Sequence, residues 1–129
     1  MDAAMLDSVL RCLIVDDNAS FLEAAVRLLE REGMTVAGLA SNTAEALRQS
    51  RDLRPDVVLV DINLGSESGI DLARRLAETD GDSTVILIST QSEADVAELI
   101  AATPAAGFVP KSELSAVAIR RLATARRER

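Results

Sequence analysis

Five polar residues stand at the ends of short apolar segments, where the chain could carry out chemistry. They are Asp16 and Asp17 after the first segment, Asp61 and Ser89 at the ends of two later ones, and Lys111 after the last. Three carboxylates brought close together repel one another unless a cation neutralises them. Carboxylate oxygens are the ligands that a hard divalent ion accepts, so we expect Mg²⁺ (or Mn²⁺) to bind here. With an ammonium and a hydroxyl added, the set predicts a site that holds a phosphoryl group on a carboxylate.

The chemistry of each side chain suggests its role in such a site. Asp61 is the candidate nucleophile, since an aspartate can form an acyl phosphate. Asp17, and Asp16 directly or through water, would hold the metal ion. Phosphoryl transfer is accelerated mainly by positioning and charge neutralisation, so Lys111 and the Ser89 hydroxyl could complete the site without a general base. The chain has no histidine, so it could accept a phosphoryl group from a histidine elsewhere but could not carry one on a histidine of its own.

Each of these residues also has an ordinary interpretation when it is taken alone. An Asp pair after a strand is often a turn and a helix cap. Ser89 could be a solvated turn residue and Lys111 a surface charge. Their joint placement at strand ends favours a site. Lys111 is also the only lysine among 14 positive residues, which suggests that a compact point charge is needed there.

Composition predicts one globular domain over residues 1–129. Of these residues 48% are hydrophobic and 27% are charged, which is typical of a folded domain. We expect a core over about residues 10–127, with tails at 1–8 and 128–129. The net charge of -7 argues against duplex DNA or an anionic membrane as a partner. Asp2 and Asp7 stand where a secretory signal needs positive charge, which predicts a cytoplasmic location, and Cys12 is predicted to be a buried small hydrophobe.

Short apolar segments alternate with segments of helical period along the whole chain. The predicted strands are 11–16, 35–39, 57–61, 85–88 and 107–110, and the predicted helices are 19–32, 42–52, 69–79, 92–101 and 113–127. Asn42 and Ser92 open capping boxes, and Ser112 is predicted to cap the last helix. A Gly/Ser loop is predicted after Asp61. Continuous apolar strands indicate a parallel sheet with helices on both faces, whose carboxyl ends meet at one edge.

Several of these segments together resemble a response regulator receiver domain, from about residue 11 to residue 127. The matching pieces are LIVDDN (13–18), VVLVDINL (57–64), Gly69, ILIST (86–90) and GFVPKS (107–112). The resemblance implies an α/β, flavodoxin-like, doubly wound (βα)5 fold with a five-stranded parallel sheet in the order 2-1-3-4-5. It also implies phosphorylation of Asp61 by a cognate histidine kinase. The implied Mg²⁺ ligands are Asp17, Asp61 and the backbone carbonyl of Asn63, and Ser89 and Lys111 complete the site.

The resemblance further implies a switch. In this family the hydroxyl at Ser89 moves toward the phosphoryl group and the aromatic ring at Phe108 turns inward, although Phe108 could also be plain core packing. The surface of the fourth helix, fifth strand and last helix then changes shape, with homodimerisation through those helices as a family expectation. Two departures stand out: Gly65 and Ser112 replace prolines common in the family, and without a proline at 112 a cis peptide there is disfavoured.

The segments 31–47 and 107–114 resemble receivers that precede a LuxR-type helix-turn-helix. We therefore expect control of an output domain or downstream protein, with transcription as the output and no direct nucleic acid binding or membrane contact by this chain.

Two other classes of protein are alternatives to a receiver domain. An aspartate-nucleophile, Mg²⁺-dependent phosphohydrolase of the haloacid dehalogenase type needs a second acid two residues after the nucleophile, and that position holds Asn63. A flavodoxin-like binding module would need a phosphate-binding loop after the first strand, and the chain has no Trp or Tyr to stack on a flavin. We therefore expect a regulatory phosphoacceptor rather than an enzyme acting on other molecules.

Overall fold

Alternating strands and helices make up the fold, and the computed structural model describes residues 10–79 and 82–127. The predicted tails lie outside the described residues. In chain order the elements are β1 (Arg11–Val15), α1 (Ala19–Arg31), β2 (Thr35–Ala40), α2 (Thr43–Leu53), β3 (Val57–Asp61), β4 (Asn63–Leu64), β5 (Glu67–Ser68), α3 (Gly69–Thr79), β6 (Thr84–Ser89), α4 (Ala97–Ala101), β7 (Gly107–Pro110) and α5 (Ala116–Arg127).

The main sheet has five parallel strands in the order β2-β1-β3-β6-β7. Counted without β4 and β5, which pair only with each other, this is the predicted order 2-1-3-4-5. Every residue of β3 and β6 is buried, because helices cover both faces of the sheet. The predicted fold class is therefore confirmed.

Successive residues of each strand face opposite sides of the sheet and build two separate cores. Cys12 and Ile14 pack with side chains from α1 and α5, whereas Leu13 and Val15 pack with α2 and α3. Burial raises the pKa of the Cys12 thiol to about 12, so this cysteine is the inert buried residue predicted from the sequence. No helix in the described part of the chain is long and apolar enough to cross a membrane.

The segment after Asp61 is a small hairpin, so the prediction of a plain Gly/Ser loop was wrong. Asn63 pairs with Ser68 and Leu64 with Glu67, and Gly65 takes a φ of 63° in the turn between them. A positive φ at the first central residue is what a two-residue hairpin turn requires, and glycine adopts it without strain. The Glu67 carboxylate accepts the backbone N–H of Thr43 at 2.8 Å, which ties the hairpin to the start of α2.

Helix starts differ from the predictions at two of the three helices for which a cap was predicted. Asn42 accepts the N–H of Glu45 at 2.9 Å, as predicted. The prediction of a helix over 92–101 was wrong at its start: Ser92 accepts the N–H of Asp95 at 3.3 Å, but the residues that follow form a 3₁₀ turn at Ala94–Val96, and α4 begins only at Ala97. The prediction of a last helix from 113 capped by Ser112 was wrong: Lys111–Glu113 form a 3₁₀ turn, and Ser115 accepts the N–H of Ala118 at 3.0 Å.

Candidate functional site

The acidic pair after β1 separates into one buried and one exposed carboxylate. Asp16 is completely buried, and its Oδ1 accepts the backbone N–H of Asn18 at 2.8 Å. Asp17 is exposed. The cap of α1 is Asn18, whose side chain accepts the N–H of Phe21 at 3.0 Å. The ordinary interpretation of the pair as helix caps therefore fails, because a neighbouring residue performs that function.

Asp61 ends β3 with both carboxylate oxygens engaged. Its Oδ1 accepts the backbone N–H of Asn63 at 3.0 Å, and its Oδ2 lies 2.9 Å from Lys111 Nζ. The start of α3 packs directly on this strand end: a Cβ atom at Gly69 would overlap the carbonyl oxygen of Asp61. Glycine is therefore needed at position 69 for the backbone to approach the site this closely.

The Lys111 ammonium joins the two buried carboxylates. Its Nζ lies 2.6 Å from Asp16 Oδ2 and 2.9 Å from Asp61 Oδ2, and only 12% of its side chain is exposed. Burial lowers the pKa of Lys111, but hydrogen bonds to the two carboxylates outweigh burial and leave the pKa above its usual value. The lysine therefore stays charged across the neutral range.

Burial has the opposite consequence for Asp61. It is the largest effect on this carboxyl and raises its pKa, assisted by the negative charge of Asp16 and opposed by hydrogen bonds from Lys111 and Asn63. The site therefore combines an ammonium that stays protonated with a carboxylate whose negative charge is only partly compensated.

The charge and oxygen content of this cluster fit a divalent metal ion. Asp16, Asp17 and Asp61 offer carboxylate oxygens that lie within 4.8 Å of one another, and Lys111 balances one of the three negative charges. The uncompensated charge and the exposure of Asp17 to solvent suit Mg²⁺, which keeps several of its waters when it binds proteins. The backbone N–H of Asn63 binds Asp61, and the metal role of the Asn63 carbonyl stays a prediction.

Two further residues were predicted to belong to the site or its switch. Ser89 ends β6, one residue beyond Ile88, the partner of Asp61 across the sheet. It is buried, and its Oγ accepts the N–H of Gln91 at 3.0 Å. Phe108 pairs with Leu87 on the next strand and is buried in the core on the side of α3. The structure thus places Ser89 at the end of the strand next to that of Asp61, and Phe108 in the interior.

Sequence reasoning missed one neighbour of the site, Phe21. Its ring centroid lies 4.2 Å from Lys111 Nζ. The available signal was its position in the first turn of the helix that follows the acidic pair. That turn lies at the carboxyl edge of the sheet, but the aromatic residue there was not considered.

Comparison with known proteins identifies the family of this chain. Residues 12–122 match the response regulator receiver domain family. The response regulator GacA of Pseudomonas viridiflava is 30% identical over 104 residues, which are 80% of this chain and 49% of that protein. The DNA-binding response regulator MtrA of Mycobacterium tuberculosis is 40% identical over 86 residues, 67% of this chain and 37% of that protein.

The chain therefore spans about half the length, or less, of these relatives. Among solved structures, a two-component response regulator of the LuxR family from Aurantimonas has a TM-score of 0.75 at 31% identity, covering 81% of this chain and 76% of that one. The match over residues 12–122, the strand order and the acidic cluster with its lysine all agree. This chain belongs to the response regulator receiver domain family of two-component signalling.

Proposed function

We propose that this domain accepts a phosphoryl group from a phosphohistidine of its cognate histidine kinase onto Asp61. The observation that carries the proposal is the cluster of three carboxylates closed by the Lys111 ammonium at the carboxyl edge of the sheet. A carboxylate held on one side by an ammonium and on the other by a backbone N–H is fixed in orientation, which favours in-line attack.

In the proposed reaction an Asp61 oxygen attacks phosphorus, the P–N bond of the phosphohistidine breaks, and its electron pair leaves with the imidazole. The product is an acyl phosphate on Asp61. Lys111 is already charged within the site, so its ammonium can neutralise negative charge on the transferred group without reorganisation. Mg²⁺ held by Asp17, Asp61, the Asn63 carbonyl and, directly or through water, Asp16 would neutralise phosphoryl oxygens when bound.

The same proposal includes a switch that begins at Ser89. Its hydroxyl accepts a hydrogen bond from the Gln91 N–H, and in the phosphorylated state it would turn to the phosphoryl group instead. The helix that follows has few anchors: α4 has five residues and none of them is buried, and the contacts to the core come from Ile100 and from Val96 just before the helix. A charge of about -1.5 to -2 added at Asp61 could therefore shift α4, with Phe108 and the β7–α5 surface, at modest cost.

The proposed output is transcription, through an output domain or a downstream protein. The matched residues make up only 37% of the relative described as the DNA-binding response regulator MtrA, and its DNA binding belongs to that protein. This chain's net charge of -7 supports a regulatory surface that meets proteins, including a second copy after phosphorylation, rather than nucleic acid or a membrane.

Incubation with acetyl phosphate and Mg²⁺, followed by intact-mass measurement, tests the proposal. We expect the mass of one phosphoryl group to be gained by the wild-type chain and by Asp71→Asn, a control at an exposed aspartate of α3. Asp61→Asn should gain nothing. A gain that survives Asp61→Asn would overturn the assignment, and multiple turnover of a phosphoester would favour the phosphohydrolase alternative.

A further inference from the structure

One of the two aromatic residues in the chain packs on the only lysine. The chain contains Phe21 and Phe108 and no Trp or Tyr, and the Phe21 ring centroid lies 4.2 Å from Lys111 Nζ. This distance is well within the range over which the negative face of an aromatic ring attracts an ammonium.

The position of the ring is fixed independently of the lysine. Phe21 is the third residue of α1, and its backbone N–H is bound by the capping side chain of Asn18 at 3.0 Å. Its side chain is partly buried and packs against the core shared by α1 and α5. The helix start and the core therefore hold the ring at the edge of the site.

The lysine, by contrast, has little else to hold it besides its two carboxylates. It stands in a three-residue 3₁₀ turn after β7, and its ammonium lies at the end of a flexible four-carbon chain. Asp16 and Asp61 bind the ammonium by hydrogen bonds. Once Asp61 carries a phosphoryl group, the negative charge lies on the phosphoryl oxygens instead of the carboxylate, so the ammonium must exchange its Asp61 partner for these oxygens.

We propose that Phe21 is a positioning residue that holds the Lys111 ammonium at the phosphorylation site through a cation–π contact and by excluding water from one side of it. The inference rests on the proposed role of Asp61 as phosphoacceptor. The ring, together with Asp16, keeps the ammonium in place while its partner changes from a carboxylate to a phosphoryl group.

The single lysine allows a direct test in the resting protein. In a sample labelled only in lysine, the Cε methylene gives one NMR signal, which belongs to Lys111 without further assignment. Phe21→Leu keeps apolar bulk but removes the ring, so we expect the upfield ring-current shift of that signal to disappear. Phe21→Tyr should retain the shift, and Phe108→Leu, which removes the other aromatic ring, should also retain it. A signal unchanged in Phe21→Leu would overturn the contact.

A second measurement tests the consequence for phosphoryl binding. We expect Phe21→Leu to bind beryllofluoride with Mg²⁺, a mimic of the phosphoryl group, about two- to thirtyfold more weakly than wild type, the range for cation–π contacts from exposed to desolvated sites. Phe21→Tyr should restore wild-type affinity. Equal affinity of Phe21→Leu and wild type, or a Tyr variant as weak as the Leu variant, would overturn the positioning role.

These two measurements separate the inference from the function on which it rests. Beryllofluoride needs no kinase, so any effect of Phe21 on kinase docking does not enter. Failure of wild type to bind beryllofluoride would count against Asp61 as phosphoacceptor. The NMR signal would still decide whether Phe21 holds the lysine. Thermal unfolding of Phe21→Leu close to that of wild type would show that a weakened affinity does not come from unfolding.

Discussion

Lys111 Nζ lies 2.6 Å from Oδ2 of Asp16, a carboxylate with no exposed surface. A buried carboxylate without a partner is costly, whereas one paired with an ammonium and hydrogen-bonded to backbone is tolerated. The ion pair therefore stabilises the buried carboxylate of Asp16 in the unphosphorylated protein, in addition to any role in phosphoryl transfer.

This relationship predicts a loss of stability in Lys111→Met. Because Asp16 and Asp61 would lose their cation, we expect the free energy of unfolding to fall by about 3–5 kcal/mol in buffer with a chelator. Added Mg²⁺ should recover part of the loss by supplying another cation. Urea unfolding with and without Mg²⁺ measures both effects. Lys111→Arg, which keeps the charge but not the compact shape, should lose less. A Met variant as stable as wild type in chelator would contradict the argument.

The raised pKa of Asp61 predicts how Mg²⁺ binding depends on pH. Protons and Mg²⁺ compete for the same carboxylate, so affinity is full above the pKa of Asp61 and falls as the pH drops through it. Since burial raises this pKa above the ordinary value of 3.8, the loss should begin at a higher pH than for an exposed aspartate. Calorimetric titrations from about pH 8 to about pH 4 would show this. An affinity that stays constant over this whole pH range would contradict the prediction.

The close approach of α3 to the phosphoacceptor predicts an unusual cost for Gly69→Ala. In a helix this change is normally neutral or favourable, but here the added Cβ overlaps the Asp61 carbonyl oxygen. We expect a loss of about 2–3 kcal/mol in unfolding free energy. We also expect the folded variant to bind beryllofluoride more weakly than wild type, because Asp61 must move. Chemical unfolding and titration measure the two.

Gly65→Ala is the matched control for that substitution. Gly65 has a φ of 63°, and a Cβ there would lie 3.2 Å from Asp17 Oδ2, not against backbone. Its expected cost is the left-handed backbone penalty of about 1–2 kcal/mol. If Gly69→Ala were the milder of the two, the overlap with Asp61 would not be the constraint that places glycine at 69.

The main sheet and the acidic cluster were predictable from sequence for a physical reason. Strands buried on both faces must be apolar throughout, as in Val57–Val60, and the carboxyl ends of parallel strands share one edge, so polar residues at those ends are brought together. Asp16, Asp17, Asp61 and Lys111 met there as predicted.

Structural features that leave no hydrophobic periodicity in the sequence were not predicted, or were predicted at the wrong residues. Two-residue strands such as β4 and β5 are too short for hydrophobic alternation to be visible, so the hairpin after Asp61 was not predicted. Contacts between a helix and a distant loop, such as Phe21 on Lys111, depend on the final packing angle of α1 and not on spacing along the chain. The start of α5 was misplaced because Ser112 and Ser115 are both plausible caps, and the sequence does not show that Ser112 belongs to a 3₁₀ turn, Lys111–Glu113, which ends before the helix.

The helix cap at Ser115 predicts that two nearby serines contribute differently to stability. Ser115 accepts the N–H of Ala118 at 3.0 Å, so Ser115→Ala should lower the free energy of unfolding by about 1 kcal/mol, the usual value of a helix cap. Ser112 is exposed in the preceding 3₁₀ turn, so Ser112→Ala should change it by less than about 0.5 kcal/mol. Urea unfolding of the two variants under one set of conditions makes the comparison. A larger loss at 112 than at 115 would mean that α5 begins earlier in solution, with Ser112 as its cap.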